Sequence, residues 1–271
     1  MTIVSLNCFY RLKFLKYALT KMKYTFTILL LVCFNSLIFG QDISDNLPEK
    51  KSNWEFDVTP YLWFSSIKGN VSFLDQTVPV NAEFKDLIDQ LSFGVMLHGE
   101  AHKGPWTIMT DVVYLKLQED GSIRNSSQSV STEVEQIIWE LGAGYRIIKL
   151  EDYLTIDGIF GMRYFGMKPE FAINERNVFD KSLNFIDPYV GMRFKSINGK
   201  WINRAGFDVG GFGIGSQVSW KLNLFVGYQI SEPLSLYLGY RAYDVDYEEK
   251  DSSFNYDVLT GGFLLGLNIN L

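Results

Sequence analysis

Polar and apolar residues alternate along most of this chain, in segments of about ten to fourteen residues that each end at a turn signal. In the segment 91–102, Phe93, Val95 and Leu97 share one face of an extended strand, whereas His98 and Glu100 share the other. Successive side chains of a strand point to opposite sides, so each of these strands has an apolar face and a polar face. Such strands are longer than ordinary ones, and their length matches a tilted strand that crosses a bilayer core.

A sheet inside lipid must satisfy all of its backbone hydrogen bonds, and it does so by closing into a barrel. The pattern therefore predicts an all-β chain folded as a closed antiparallel transmembrane β-barrel of ten strands, with eight or twelve strands as the alternatives. The predicted strands are 54–66, 91–103, 106–117, 133–146, 153–166, 185–196, 201–212, 219–230, 234–247 and 255–270.

The connections between these strands alternate between short and long. Bacterial barrels place tight turns in the periplasm and longer loops outside the cell. The turns 104–105 and 231–233 are therefore expected in the periplasm and the loop 118–132 outside. The first long connection, 67–90, is predicted to extend the first hairpin, and a short helix is predicted over 84–91 from the spacing of its apolar residues.

The first forty residues have the character of an export signal. Residues 22–40 carry a basic start at Lys23, an apolar run and a small residue, Gly40, at its end, which is the pattern of a secretory signal peptide. Residues 1–21 are interpreted as a misassigned upstream extension, with a long atypical signal as the alternative. Residues 41–53 then form a polar periplasmic leader, and 54–271 form the outer-membrane barrel.

Cysteine usage and charge limit the partners of the mature chain. Both cysteines, Cys8 and Cys33, lie in the part expected to be removed, which leaves no disulfide or thiolate metal site. Removal of residues 1–40 leaves 20 basic residues against 31 acidic ones, a formal charge of −11. Such an acidic chain argues against nucleic acid as a partner.

Several short motifs carry a family resemblance. They are GMRY at 161–164, DPYVGMRF at 187–194, DVGGFG at 208–213 with GS at 215–216, GYR at 239–241, DVDY at 244–247, and PYLW at 60–63 followed by Gly69. With these motifs the chain resembles a family of small outer-membrane β-barrel proteins of Gram-negative bacteria, within the porin-like group. The resemblance implies a barrel without an assigned reaction, with the barrel-assembly machinery as a partner. Such chains usually end in an aromatic residue that this machinery reads, whereas this one ends in Leu271.

Strand parity places many charged residues on the inner face, with nearly equal numbers of acids and bases. Unpaired charge in a confined space costs several kcal/mol, so a balanced set is expected to pair. The charges then either form an ion-pair network that fills a narrow barrel or line a selective pore. The candidate lumen network comprises Asp57, His98, Glu100, Asp111, Glu140, Asp157, Arg163, Asp187, Arg193, Arg204, Asp208 and Arg241.

The two histidines, His98 and His102, are candidates for chemistry because they share the inner face of one strand with Glu100 between them. They lie roughly 13 Å apart along the strand, too far to share one metal ion, so a metal site would need a ligand from a neighbouring strand. The turn at Gly104-Pro105 predicts that His98 lies directly opposite Asp111. No metal, cofactor or catalytic site is predicted, and the alternative is an outer-membrane hydrolase that uses His98 with lumen carboxylates.

Aromatic residues and glycines are given structural roles. The tryptophans are predicted to form belts at the membrane interfaces, and the inner-face glycines to make room for arginines that cross the lumen. The glycines at 210–215 precede no helix, so they predict no phosphate cradle. The sequence thus predicts a non-enzymatic outer-membrane protein that contacts membrane lipids and is either structural or passes small solutes. The six tryptophans are Trp54, Trp63, Trp106, Trp139, Trp201 and Trp220.

Overall fold

In the computed structural model, the described part of the chain is almost entirely β-strand. The structure describes residues 53–73, 76–122, 129–151, 153–173, 176–180, 182–249 and 254–271. The expected extension at 1–21, the signal peptide at 22–40 and the leader up to residue 52 lie outside the described residues. In the described part, no helix has the length and apolar character needed to cross a membrane.

The described residues form twelve strands and one short helix. The strands are β1 (Glu55–Phe73), β2 (Gln76–Ala82), β3 (Leu91–Lys103), β4 (Trp106–Ser122), β5 (Ser129–Leu150), β6 (Leu154–Ile173), β7 (Arg176–Asp180), β8 (Leu183–Asn198), β9 (Trp201–Gly210), β10 (Val218–Ser231), β11 (Leu234–Glu248) and β12 (Phe254–Asn270), and the helix is α1 (Phe84–Asp89).

Ten of these strands form a closed antiparallel barrel. Each pairs with the next barrel strand along the chain, and β12 pairs with β1 to close the ring. The short strands β2 and β7 are additions that pair only with the far ends of β1 and β6. The predicted ten-stranded barrel is therefore confirmed. The side of the barrel that carries the short turns also carries the start of β1 and the end of β12, and we call it the turn end. The opposite side is called the loop end.

The strand registers fix the width of the barrel. Following the paired positions once around the ring from Asp57 leads back to β1 at Gly69, a displacement from residue 57 to residue 69, or 12 residues. For ten strands this displacement corresponds to a tilt of about 40° and a ring roughly 20 Å across between backbones. Side chains from opposite walls can meet across such a ring.

The strand β1 changes its partner halfway along. Its part near the turn end pairs with β3 over residues 55–60, whereas its part near the loop end pairs with β2 over residues 67–73. The helix α1 follows β2 and packs against β1, with the rings of Phe84 and Phe64 5.1 Å apart. The predicted hairpin extension and helix are both present, and the helix ends at Asp89 rather than at residue 91.

The loop half of the lumen is filled by an apolar layer. Aromatic and branched side chains from strands all around the ring pack there, and Phe165 is only 1% exposed. This lumen apolar layer consists of Tyr61, Trp63, Val113, Ile138, Phe165, Leu183, Phe185, Tyr243, Val245, Phe254, Tyr256, Val258 and Leu264.

The outer surface of the barrel is an apolar band with aromatic residues toward its edges. Leu238 and Met162, for example, are about three-fifths exposed to the outside. Paired rings lie near the turn end, with Trp106 against Tyr145 and a second such pair between β9 and β10. A closed barrel with an apolar exterior and internally paired strands satisfies the demands of a bilayer, and such barrels belong to bacterial outer membranes. The protein is an outer-membrane β-barrel.

Trp63 is an exception to the predicted tryptophan belts. It is 6% exposed and belongs to the lumen apolar layer, whereas Trp54, Trp106, Trp139 and Trp201 are exposed on the outside. Residues of equal parity on one strand share a face, and Trp63 shares its parity with the lumen residue Asp57. The prediction for Trp63 was therefore wrong, because the alternation of its strand places this side chain in the lumen.

Two inner-face glycines, Gly161 and Gly239, make room for aromatic rings rather than directly for arginines. A Cβ atom on Gly161 would lie 2.6 Å from the hydroxyl of Tyr189, and one on Gly239 would lie 2.2 Å from the ring of Phe225. The ring of Tyr189 in turn faces the guanidinium of Arg163, whose Cζ lies 5.1 Å from the ring centroid. Gly161 therefore positions Arg163 indirectly, through the ring of Tyr189.

Candidate functional site

A layer of charged and polar side chains fills the lumen between the apolar layer and the turn end. Every residue of the predicted network lies on the inner face, and most of them are buried. We call these residues, together with His102 and Lys221, the lumen charge layer. Its members are Asp57, His98, Glu100, His102, Asp111, Glu140, Asp157, Arg163, Asp187, Arg193, Arg204, Asp208, Lys221 and Arg241.

Arg163 lies at the centre of the layer and has no exposed surface. Its Nε donates to Glu140 Oε1 at 2.8 Å, and its Nη2 donates to Asp208 Oδ1 at 2.6 Å. The other oxygen of Glu140 accepts a hydrogen bond from Lys221. Two carboxylates thus compensate two cations among buried side chains, where an unpaired charge would be costly.

Arg241 extends from β11 and contacts side chains of β1 and β4. Its two terminal nitrogens each donate to an oxygen of Asp111 at 3.2 Å, and Nη1 also donates to the hydroxyl of Tyr61 at 2.8 Å. The Tyr61 hydroxyl donates in turn to Asp111 Oδ1 at 2.7 Å. The guanidinium also faces the ring of Trp63, whose centroid lies 5.5 Å from Cζ. These contacts join the charge layer to the apolar layer.

Arg193 forms a third bridge, nearer the turn end. Its Nη1 donates to Glu100 Oε1 at 2.5 Å, and its Nη2 donates to Asp157 Oδ2 at 3.1 Å. Glu100 and Arg193 belong to β3 and β8, which are four strands apart around the ring. The side chains therefore meet across the lumen and not along the wall.

His98 lies directly opposite Asp111 in the register of β3 and β4, as predicted. Its Nδ1 lies 3.1 Å from Asp111 Oδ2, and its Nε2 lies 2.9 Å from Glu100 Oε1. Each ring nitrogen thus has one carboxylate partner. This arrangement ties two strands together but leaves neither nitrogen available to take a proton from a nucleophile.

His102 has a different environment. Its Nε2 lies 3.2 Å from Asp57 Oδ2 and 3.1 Å from Glu100 Oε2, and its Nδ1 lies 3.0 Å from the hydroxyl of Thr107. Asp57 belongs to β1 and is the register partner of Glu100 on β3. The neighbouring strand therefore places a second carboxylate beside His102.

Asp187 and Arg204 lie on the predicted inner face, but the contacts described here are with serine groups and an aromatic ring and not with an opposite charge. Asp187 has no exposed surface, and its two oxygens accept from the backbone N–H of Ser216 at 2.6 Å, the Ser216 hydroxyl at 2.6 Å and the Ser219 hydroxyl at 2.8 Å. It thereby anchors the loop 211–217. The guanidinium of Arg204 faces the ring of Tyr237, whose centroid lies 4.9 Å from Cζ.

Sequence reasoning missed the aromatic partners of the arginines. Tyr189 and Tyr243 both contact Arg163, with ring centroids 5.1 and 4.8 Å from its Cζ. The signal that could have found them is strand parity, since Tyr243 alternates in phase with Arg241 and Tyr189 with Asp187. The charge layer is therefore a mixed network of ion pairs and rings.

The comparisons with known proteins concern the fold alone. The chain matches no known protein family and no curated protein. Among solved structures, it is similar to the outer membrane protease OmpT from Escherichia coli, at 8% identity and a TM-score of 0.47, over 84% of this chain and 100% of that one. It is also similar to the transport unit of the autotransporter AIDA-I from Escherichia coli, at 11% identity and a TM-score of 0.41, over 86% and 93% of the two chains.

A third similar structure is Ail, the attachment invasion locus protein of Yersinia pestis, at 12% identity and a TM-score of 0.36, over 80% of this chain and 98% of that one. At such identities and TM-scores, nothing about the activity of this chain follows from these structures. Its role has to be argued from its own lumen.

Proposed function

We propose that this protein is a non-enzymatic structural barrel of the small, porin-like type, with a lumen closed to solutes. The observation that carries the proposal is the contact between Phe165 and Tyr256, whose ring centroids lie 5.4 Å apart. Phe165 belongs to β6 and Tyr256 to β12, which are five strands apart in a ring of ten. The two side chains come from diametrically opposite walls and meet in the middle.

Neighbouring rings extend this contact. Phe165 also stacks on Phe185 at 5.0 Å, and Phe185 stacks on Tyr247 at 4.7 Å. Phe165 of β6 therefore contacts Tyr256 of β12 directly, and it is connected to Tyr247 of β11 through Phe185 of β8. An apolar constriction of this kind opposes the passage of ions and water.

The charge layer supports the proposal as a second barrier. Three of its contacts join strands that are four apart around the ring: Arg241 to Asp111, Arg193 to Glu100, and Lys221 to Glu140. A charged pore would need separated charges lining an open path, whereas these charges are paired across the space. The lumen accordingly functions as a packed interior that stiffens the barrel.

The hydrolase alternative is not favoured by the surroundings of His98. Both of its ring nitrogens contact carboxylates. A general base in a hydrolase needs one ring nitrogen directed at a nucleophile or a water molecule. We therefore assign His98 a structural role between β3 and β4. The proposed partners are the lipids around the apolar band and the barrel-assembly machinery.

The proposal is tested by conductance in planar lipid bilayers. The wild-type barrel is expected to insert without stepwise openings, with insertion checked separately by its protection from protease in vesicles. A variant that removes one cross-lumen contact from each layer, F165A/Y256A/R241A/D111A, is expected to conduct, whereas the lipid-facing control F160A/L238A stays silent. Stepwise openings of the wild-type protein would show a solute-passing barrel instead.

A further inference from the structure

Three side chains that commonly bind metals converge at the turn end of the lumen. They are His102 and Glu100 of β3 and Asp57 of β1. One donor atom from each lies within 4.8 Å of the others. His102 Nε2 is at the centre of the group, 3.2 Å from Asp57 Oδ2 and 3.1 Å from Glu100 Oε2.

Hydrogen bonding alone leaves this group incompletely satisfied. An imidazole nitrogen carries at most one hydrogen, yet two carboxylate oxygens face His102 Nε2 at nearly the same distance. The single hydrogen can make a good bond to only one of them. His98 provides the contrast on the same strand, since each of its nitrogens faces one carboxylate.

The opposite atom of each of the three side chains is held in place by a neighbour. Thr107 contacts His102 Nδ1 at 3.0 Å, and Asn270 Nδ2 donates to Asp57 Oδ1 at 3.2 Å. Glu100 Oε1 accepts from Arg193, at 2.5 Å, and contacts His98. Outer contacts of this kind orient metal ligands and leave their other atoms to face the ion.

Two of the three spacings between the donor atoms fit a zinc ion. Bonds of about 2.0–2.1 Å in a tetrahedral arrangement place neighbouring donor atoms roughly 3.3 Å apart. The two distances from His102 Nε2 are close to this value. Two carboxylates attract a divalent ion, and imidazole among the donors favours zinc over calcium or magnesium.

We propose that Asp57, Glu100 and His102 form a zinc site that holds the barrel closed at its turn end. The seam between β1 and β3 consists of only six paired positions, 55–60 with 97–102, and the site lies on this seam. Asn270 of β12 contacts Asp57, so the site also adjoins the strand that closes the ring. Zinc bound there stabilises the folded barrel because the ligands are together only in the folded chain.

The test uses the mature barrel, refolded in detergent, treated with a chelator and then freed of it. Titration with Zn²⁺ in a calorimeter is expected to show one ion per barrel, and Co²⁺ is expected to bind with the visible absorption of a tetrahedral site whose fourth donor is water. Zn²⁺ should raise the temperature at which the barrel unfolds. His102→Gln and Asp57→Asn should abolish binding, whereas the matched variant His98→Gln on the same strand should retain one ion per barrel.

A milder variant keeps the test decisive if the ligand variants fold poorly. Thr107→Val removes only the outer contact of His102, and it should raise the zinc dissociation constant by about 10–100-fold in a barrel that folds normally. Folding of every variant is checked by its electrophoretic mobility without heating. Absence of zinc binding to the wild type, zinc binding unchanged by both His102→Gln and Thr107→Val, or equal preference for Ca²⁺ would overturn the proposal.

Discussion

Arg241 and Asp111 contact each other across four strands of the ring through two hydrogen bonds of 3.2 Å. Both side chains are buried, and the Tyr61 hydroxyl hydrogen-bonds to both partners. A bidentate guanidinium–carboxylate contact has a strict geometry, so it fixes the distance between two remote parts of the wall. The contribution of this contact to stability can be measured directly.

Replacement of Arg241 by Leu should lower the free energy of unfolding by about 3–5 kcal/mol, because it leaves a buried carboxylate without its cation. The double variant R241L/D111L should lose less than the sum of the two single variants. Urea unfolding in lipid vesicles, followed by tryptophan fluorescence, provides the measurement. Arg146→Leu is the control, since the Nε atom of Arg146 lies 4.0 Å from Asp157 in a partly exposed pair. Equal losses for Arg146→Leu and Arg241→Leu would contradict the prediction.

Leu238 lies on the lipid face and is 60% exposed to the outside. Leu238→Arg should destabilise the barrel by about 2–4 kcal/mol, because it places a cation in the middle of the apolar band. Ile230→Arg is the matched control, since Ile230 is also exposed but adjoins the turn 232–233, where the cost should fall to about 0–1 kcal/mol. The same unfolding measurement compares the two. A similar cost at both positions would mean that the membrane is not centred near Leu238.

The orientation of the barrel in the cell can be tested with single cysteines. Ile214 lies in the loop 211–217 and is 72% exposed, whereas Glu232 lies in the turn between β10 and β11. In a chain with Cys8 and Cys33 replaced by Ser, Ile214→Cys should react with a membrane-impermeant maleimide on whole cells. Glu232→Cys should react only after the outer membrane is permeabilised. Labelling of Glu232→Cys on intact cells would reverse the assigned orientation.

Two lumen-face glycines differ in the space around them. A Cβ atom on Gly161 would lie 2.4 Å from the backbone oxygen of Leu141, whereas one on Gly206 would find its nearest neighbour, a side-chain atom of Arg193, at 3.7 Å. Gly161→Ala should therefore cost about 1–3 kcal/mol through overpacking. Gly206→Ala should be neutral or slightly stabilising, since alanine lowers the entropy of the unfolded chain. Unfolding of both variants under one set of conditions decides the comparison.

Strand parity accounts for most of what the sequence predicts correctly. The alternation of 91–102 places Phe93 and Leu97 outside and His98 inside, as found. The partner of His98 was also predictable, because a two-residue turn at Gly104-Pro105 leaves only one register for β3 and β4.

The contacts across the lumen could not be predicted in the same way. Strand parity gives the face on which Arg193 lies, but it does not give the position of Arg193 along the barrel axis or around the ring. A prediction of its contact with Glu100 would require the registers of all the strands between them. The position of Asp57 beside His102 has a related cause. Its register depends on a long connection with its own hairpin and helix, to which no turn rule applies.

The divided pairing of β1 has a consequence for how the barrel is assembled. The first strand shares 15 paired positions with the last strand, β12, but only six with the next barrel strand, β3. Many of its backbone hydrogen bonds therefore depend on a strand that is synthesised much later than β1. Until residues 254–270 arrive, one long edge of β1 stays uncovered and open to pairing with other chains. Contacts between such distant parts of a chain also form slowly. Protection of this edge during transit through the periplasm is thus a condition for a good yield of folded barrel.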